Sequence, residues 1–175
     1  VATIIITGVA SGFFRAHRVQ PNGFRWKQSG FKFVVAIIVG YLTGLLLGGT
    51  NRYLNANGFI LFNTGEVAWW RVAIEYVLYF ILFDTWFYWL HRLMHKEPMY
   101  FWVHKLHHKS TSTNPLTTLS VNPLESFING GFVPLFLITA TAISLPISNV
   151  TAALILPTNI IMGLYVHSGW EFFPR

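Results

Sequence analysis

Cysteine is absent from this sequence of 175 residues. Without cysteine, the chain can form no disulfide, offers no thiolate nucleophile and binds no metal through sulfur. Any metal must therefore be held by nitrogen and oxygen ligands, and imidazole suits iron, zinc, copper and nickel.

Charged side chains are scarce as well. They make up 10% of the residues, against about a quarter in a soluble globular domain. Hydrophobic residues make up 53% and aromatic residues 17%, and the mean hydropathy is +0.49. This composition predicts an integral membrane protein with aromatic side chains at the bilayer interfaces. The net charge of +6 does not indicate a nucleic-acid partner, because the basic residues flank apolar segments and form no stripe.

Four apolar stretches are long enough to cross a bilayer, which takes about twenty helical residues. We therefore expect an all-α membrane protein with about four transmembrane helices. Arg71 and Glu75 lie one helical turn apart in the second stretch and are expected to form an ion pair. The sequence "LPISN" at 145–149 indicates a tight hairpin, and the apolar residues 1–14 fit either a truncated span or an interfacial segment. The four predicted spans are Phe31–Gly49, Glu66–Leu90, Phe127–Leu145 and Ile147–Val166.

The basic residues near the span ends predict the orientation in the membrane, because cytoplasmic loops carry an excess of Lys and Arg. The loop after the first span has only Arg52, and the last hairpin has no cation. A multi-pass protein with both short loops outside and a histidine-rich helical region facing the cytoplasm satisfies every count, in a bacterial inner membrane or the endoplasmic reticulum. The cations on the predicted cytoplasmic side are Arg15, Arg18, Arg25, Lys27, Lys32, Arg92, Lys96, Lys105 and Lys109.

Five of the seven histidines fall within eighteen residues, in "HRLMH" at 91–95 and "HKLHH" at 104–108. Helical positions four apart lie about 40° from each other, so each motif places its histidines on one face. Asp84 precedes the first motif by two turns and points the same way, and His167 ends the last span at the same predicted depth. A lone interfacial histidine is usually a polar anchor, the role expected for His17.

The clustered histidines predict a metal site. One ion needs about three or four protein ligands, so six imidazoles fit two ions better, with a carboxylate such as Asp84 fixing the histidine tautomers. An enzyme is one interpretation, and a metal transporter or sensor using the same histidines is another. A transporter should hold its ligands near the bilayer midplane. A zinc hydrolase is a third interpretation, but this chain has no general base after the first His of HxxxH, where HExxH has Glu.

The sequences "DTWFYWLHRLMH", "HKLHH", "NPLES" and "HSGWEFFP" resemble the fatty acid hydroxylase superfamily, which includes sterol desaturases. The resemblance is strongest over 84–174, and it makes residues 1–175 a single, partial hydroxylase-like membrane domain that we expect to extend beyond both ends. It implies two non-haem iron ions, with zinc as a substitute. The implied metal ligands are His91, His95, His104, His107, His108 and His167.

The resemblance further implies that the enzyme hydroxylates or desaturates a sterol or fatty acyl lipid. It would use O₂ and an external electron donor, a b-type cytochrome or a ferredoxin-like protein, with no catalytic residue beyond the metal site. The family often has His-Pro where this chain has Asn122-Pro123. Asn122 is then a weak oxygen ligand, a hydrogen-bond donor behind the ligands, or unconnected with the metal. Glu125 is a candidate for supporting the ligands, or a solvated charge at a helix end.

Overall fold

The computed structural model describes residues 26–109, 118 and 121–168, with side chains omitted for 26–33 and for residue 36. The described part is almost entirely helical. Two two-residue strands, β1 (Phe62–Asn63) and β2 (Ile147–Ser148), and a π-helix at Tyr100–His104 interrupt the α-helices. The α-helices are α1 (Trp26–Ala56), α2 (Trp69–Met94), α3 (Lys105–His108), α4 (Pro123–Gly130), α5 (Phe132–Ala142) and α6 (Asn149–Val166).

Three helical segments of the described chain are long and apolar enough to cross a membrane: Trp69–Met94, Pro123–Ala142 (α4 with α5) and Asn149–Val166. The predicted all-α membrane fold is confirmed, and the first predicted span, Phe31–Gly49, lies within α1. The third span begins four residues before the predicted position. Hydropathy missed that start because its signals are polar: Asn122 caps the helix, and proline occupies a position in the first turn where no backbone N–H is needed.

The two short strands pair in parallel, with Phe62 opposite Ile147 and Asn63 opposite Ser148. The predicted hairpin at 145–149 is therefore a short strand paired with the loop between α1 and α2. Ser148 also caps α6, because its hydroxyl accepts a hydrogen bond from the Thr151 N–H at 3.1 Å. The pairing fixes both loops at the end of the bundle where α2 begins. The histidines lie at the other end of α2.

Helix α2 is held at its start by a buried carboxylate. The predicted pair is confirmed, since Arg71 Nε lies 2.8 Å from Glu75 Oε1. Glu75 Oε2 accepts from the Ser148 N–H at 3.0 Å and from the Thr151 hydroxyl at 2.7 Å. Below this network, Tyr79 packs against aromatic rings of α5 in the main buried cluster. These contacts fix α2 against α5 and α6, so the position of its last turns is determined by the rest of the bundle.

Large apolar side chains cover the outside of the helices, as expected where lipid replaces water. Several predictions lie outside the described residues: the opening apolar segment, the arginines at 15, 18 and 25, the lone histidine at 17, and the "GWEFFP" part of the last motif.

Candidate metal centre

The first histidine pair ends helix α2. His91 lies in the last turn, and His95 caps the helix with its backbone N–H directed at the His91 carbonyl. The spacing of four residues brings the two Nε2 atoms to 3.1 Å from each other. The predicted common face is therefore present, with both imidazoles at the end of the span.

The second histidine pair comes from a short segment in which a π-helix, Tyr100–His104, passes into α3. His104 is fully buried, and its Nε2 lies 2.9 Å from Nε2 of His108. The ring of His104 lies 4.6 Å from that of His91 and 4.8 Å from that of His95, between centroids. The two pairs therefore form one group.

One ligand atom from each of these residues lies within 4.8 Å of the others, in what we call the four-histidine cluster: His91, His95, His104 and His108. Nitrogens bound at about 2.1 Å to one ion lie about 3.0 Å apart at a right angle and about 3.4 Å apart at a tetrahedral angle. The close pairs, at 3.1 Å and 2.9 Å, match that spacing. The arrangement suits a single metal ion with nitrogen ligands.

The other two predicted ligands form a second, adjacent pair. The ring of His107 is perpendicular to that of His167, with centroids 5.3 Å apart, and it stacks on His104 at 5.4 Å. His107 Nδ1 is buried and has no hydrogen-bond partner among the described residues. His167 Nδ1 donates to the Gly163 carbonyl at 2.9 Å. The structure thus places the six histidines in a group of four and a pair, linked through the rings of His104 and His107.

A protein-family profile described as fatty acid hydroxylase matches residues 76–175, more than half of the chain. The chain belongs to the fatty acid hydroxylase family. This family is part of the fatty acid hydroxylase and sterol desaturase superfamily, is membrane-associated and is known for non-haem iron. Searches of curated proteins and of solved structures found no match for the chain.

In this hydroxylase-family chain the buried histidine has a carboxylate partner. His104 Nδ1 lies 2.9 Å from Glu125 Oε1, and the two residues are 0% and 2% exposed. In its ionised form Glu125 only accepts hydrogen bonds, so Nδ1 of His104 then carries the proton and the Nε2 lone pair is directed into the cluster. Carboxylate-to-histidine bonds of this kind fix ligand orientation at metal sites. Glu125 Oε2 is buried without a partner among the described residues.

Asn122 holds the helix that carries this carboxylate. Its Oδ1 accepts from the Leu124 N–H at 2.9 Å, and its Nδ2 donates to the Trp102 carbonyl at 2.9 Å. Of the roles left open by the sequence, the geometry matches that of a donor behind the ligands. The side chain joins α4 to the π-helix two residues before His104, and so sets the distance between Glu125 and its histidine.

Asp84 differs from the sequence expectation of a buried carboxylate beside the histidines. It is exposed, and within the described residues it makes no hydrogen bond or ion pair. The prediction rested on helical periodicity, which places Asp84 and His91 on one face of α2. The second histidine pair contacts α2 through the rings of His91 and His95, two turns or more beyond Asp84. Glu125, from another helix, occupies the position beside a ligand that we expected for Asp84.

Three histidines of the segment after α2, His104, His107 and His108, are held in the neutral form. Burial, followed by the neighbouring imidazoles, lowers the pKa of His104 to about 3. Burial and then the adjacent His167 lower the pKa of His107 to about 4, and burial lowers the pKa of His108 as well. Neutral imidazoles have a free lone pair, so the site is ready to bind a cation at neutral pH.

Tyr100 is a residue near the site that the sequence analysis missed. Its ring lies 6.1 Å from that of His95 and 6.0 Å from that of His108, between centroids. Its position four residues before His104 was the available signal.

Elsewhere, an apolar groove of about 530 Å³ runs between α2 and α5, from Leu82 to Leu93 on α2. None of its lining residues is a histidine, so the groove is separate from the cluster.

Proposed function

We propose that this chain is a membrane-embedded non-haem di-iron oxygenase that hydroxylates or desaturates a sterol or fatty acyl lipid. The observation that carries the proposal is the four-histidine cluster at the end of a membrane-spanning helix, in a chain of the fatty acid hydroxylase family. The cysteine-free composition supports it, because nitrogen and oxygen are the only ligands available.

The four-histidine cluster would hold one ion through nitrogen atoms that already lie close together. A second ion would lie beside His107 and His167, where a buried Nδ1 lacks a partner among the described residues. This pair needs further ligands to complete a coordination shell, which for a single ion takes about three or four protein groups. Zinc would bind the same nitrogens as a substitute. When bound, iron supplies the activation of O₂ and the one-electron chemistry required to break an unactivated C–H bond.

The residues of the chain itself orient and shield the site. Glu125 accepts the Nδ1 proton of His104 and so directs the opposite nitrogen into the cluster. Met94 and Val103, both buried, lie next to the ligands in sequence and exclude water from one side. Because the pKa values of His104 and His107 are lowered, these ligands stay neutral without competition from protons.

The histidine end of the bundle faces the cytoplasm in this proposal. Arg92, Lys96, Lys105 and Lys109 lie at that end and are exposed. A soluble or anchored donor, a b-type cytochrome or a ferredoxin-like protein, would deliver electrons there while the lipid chain stays in the bilayer. The metal-transporter interpretation has less support, because the ligands lie at one end of α2 and not along a path at its middle.

Product analysis of the full-length protein tests this function. Incubation with candidate lipids, O₂ and a reductant should add one oxygen atom or remove two hydrogen atoms. Replacing His104 or His107 by alanine should abolish product without preventing membrane insertion. His17→Ala is the matched control, since the sequence assigns that histidine no part in the site. Wild-type turnover by the His107→Ala protein would refute the assignment.

A further inference from the structure

The segment that carries the second histidine pair has one side packed on the cluster and one side exposed. Val103 and His104 are buried, whereas the exposed side presents aromatic, aliphatic and basic residues. Trp102 is 77% exposed, among the most exposed of the large apolar side chains. We call this exposed side the interfacial face: Phe101, Trp102, Lys105, Leu106 and Lys109.

The cations of this face are combined with aromatic rings. Lys105 Nζ lies 4.8 Å from the centroid of the Phe101 ring. On the neighbouring end of α2, the Arg92 guanidinium lies 5.6 Å from the Trp89 ring and donates to the Tyr88 hydroxyl at 3.1 Å. Amphipathic aromatic rings are favoured at the headgroup level of a bilayer, and cations there attract anionic lipids.

The charge at this end of the bundle favours an anionic partner. Between residues 85 and 109 the sequence contains four Lys and Arg residues but a single carboxylate, Glu97. Exposed tryptophan and phenylalanine beside the cations suit a lipid surface better than an acidic soluble protein. Such rings are most stable at an interface, with one side in an apolar environment and the other in water.

We propose that the interfacial face binds the headgroups of anionic phospholipids in the leaflet next to the histidines. The π-helix and α3 have five and four residues, respectively. Helices this short have little stability of their own. Bound lipid therefore anchors the same segment that positions His104 and His108. The inference concerns the protein surface and holds whether or not the bound metal is iron.

The test uses full-length, metal-free protein in nanodiscs of phosphatidylcholine, with or without phosphatidylglycerol. Hydrogen exchange of residues 100–109 should be slower with phosphatidylglycerol, and 0.5 M salt should remove most of the difference, since the Debye length falls to about 4–5 Å. Lipids retained on the protein, counted by native mass spectrometry, should be enriched in phosphatidylglycerol.

Variants at each end of the bundle locate the effect. Each lysine near a charged surface contributes about a fivefold preference, so Lys105→Ala with Lys109→Ala should reduce the preference for phosphatidylglycerol about 25-fold. Arg52→Ala is the control for location: Arg52 is exposed at the other end of the bundle, so its replacement should leave the hydrogen exchange of residues 100–109 as in the wild type. Trp102→Ala should weaken the binding of phosphatidylglycerol more than Trp69→Ala does. Trp69 is the matched comparison, because it is 78% exposed at the other end of α2.

Equal hydrogen exchange in the two lipid mixtures would overturn the proposal. A double lysine variant that keeps the wild-type preference for phosphatidylglycerol would also overturn it. If that variant reacted more slowly with a soluble electron donor and kept its lipid preference, the interfacial face would bind a protein and not lipid. Failure of the enzyme assay alone would leave this result unaffected, since the measurement needs neither metal nor turnover.

Discussion

Replacing Glu125 by alanine is expected to weaken metal binding by about 10- to 100-fold, the range found when a carboxylate behind a histidine ligand is removed. The reason is the 2.9 Å bond between Glu125 Oε1 and His104 Nδ1, in which both residues are almost completely buried. Without it, His104 is free to rotate and to take the wrong tautomer. Its unpaired N–H should also cost the metal-free protein about 1–3 kcal/mol of stability.

The assay is a competition between the protein and a chelator of known affinity, followed by measurement of bound metal. Glu125→Gln should recover part of the affinity, since its amide oxygen still accepts the Nδ1 proton. Glu66→Ala is the matched control, because Glu66 is an exposed carboxylate at the other end of the bundle. If Glu125→Ala bound metal with wild-type affinity, or if Gln gave no recovery over Ala, the orienting role of this carboxylate would be wrong.

Two further predictions concern packing and the other end of the bundle. A Cβ added at Gly130 would lie 2.3 Å from Cδ1 at the end of the Leu47 side chain, so Gly130→Ala should displace that side chain from its rotamer and lower the free energy of unfolding by about 0.5–1.5 kcal/mol. Gly48→Ala, where nothing lies within 4 Å, should be neutral or stabilising in the same thermal scans. Equal effects of the two would contradict the close approach of α1 and α4. Glu75→Ala should destabilise by about 3 kcal/mol in detergent, the low end for a buried ion pair because Arg71 is partly exposed. A loss below about 0.5 kcal/mol, as expected for a surface substitution, would show that the network contributes little.

Much of the fold could be predicted from the sequence, because length and hydropathy alone determine where a helix crosses the bilayer. The end of the last span at Val166 is one such case. One boundary that moved is set by capping: Asn122 and Pro123 start a helix among polar residues, four residues before the predicted position. The pairing of β1 with β2 joins two loops 85 positions apart in the sequence. Neither loop sequence alone indicates that it pairs with the other.

The site was predictable to the extent that it depends on local spacing. Four residues between His91 and His95, or between His104 and His108, are enough to bring two imidazoles together on one helical turn. The carboxylate partner of His104 could not be predicted from local spacing. Glu125 is 21 residues away in the sequence, and the packing of another helix brings it to the site. Periodicity gives the face on which a residue lies, but not which element packs against that face.

In the proposed centre, imidazole nitrogens from separate segments surround bound iron. X-ray absorption at the iron K-edge, on full-length protein purified from membranes with its iron counted, tests it most directly. We expect about two iron ions per chain, with nitrogen ligands at about 2.1 Å and the outer-shell scattering of several imidazole rings. An iron-loaded, active protein whose spectrum shows no imidazole scattering would contradict this ligand set. A His104→Ala protein whose spectrum is identical to that of the wild type would contradict it as well.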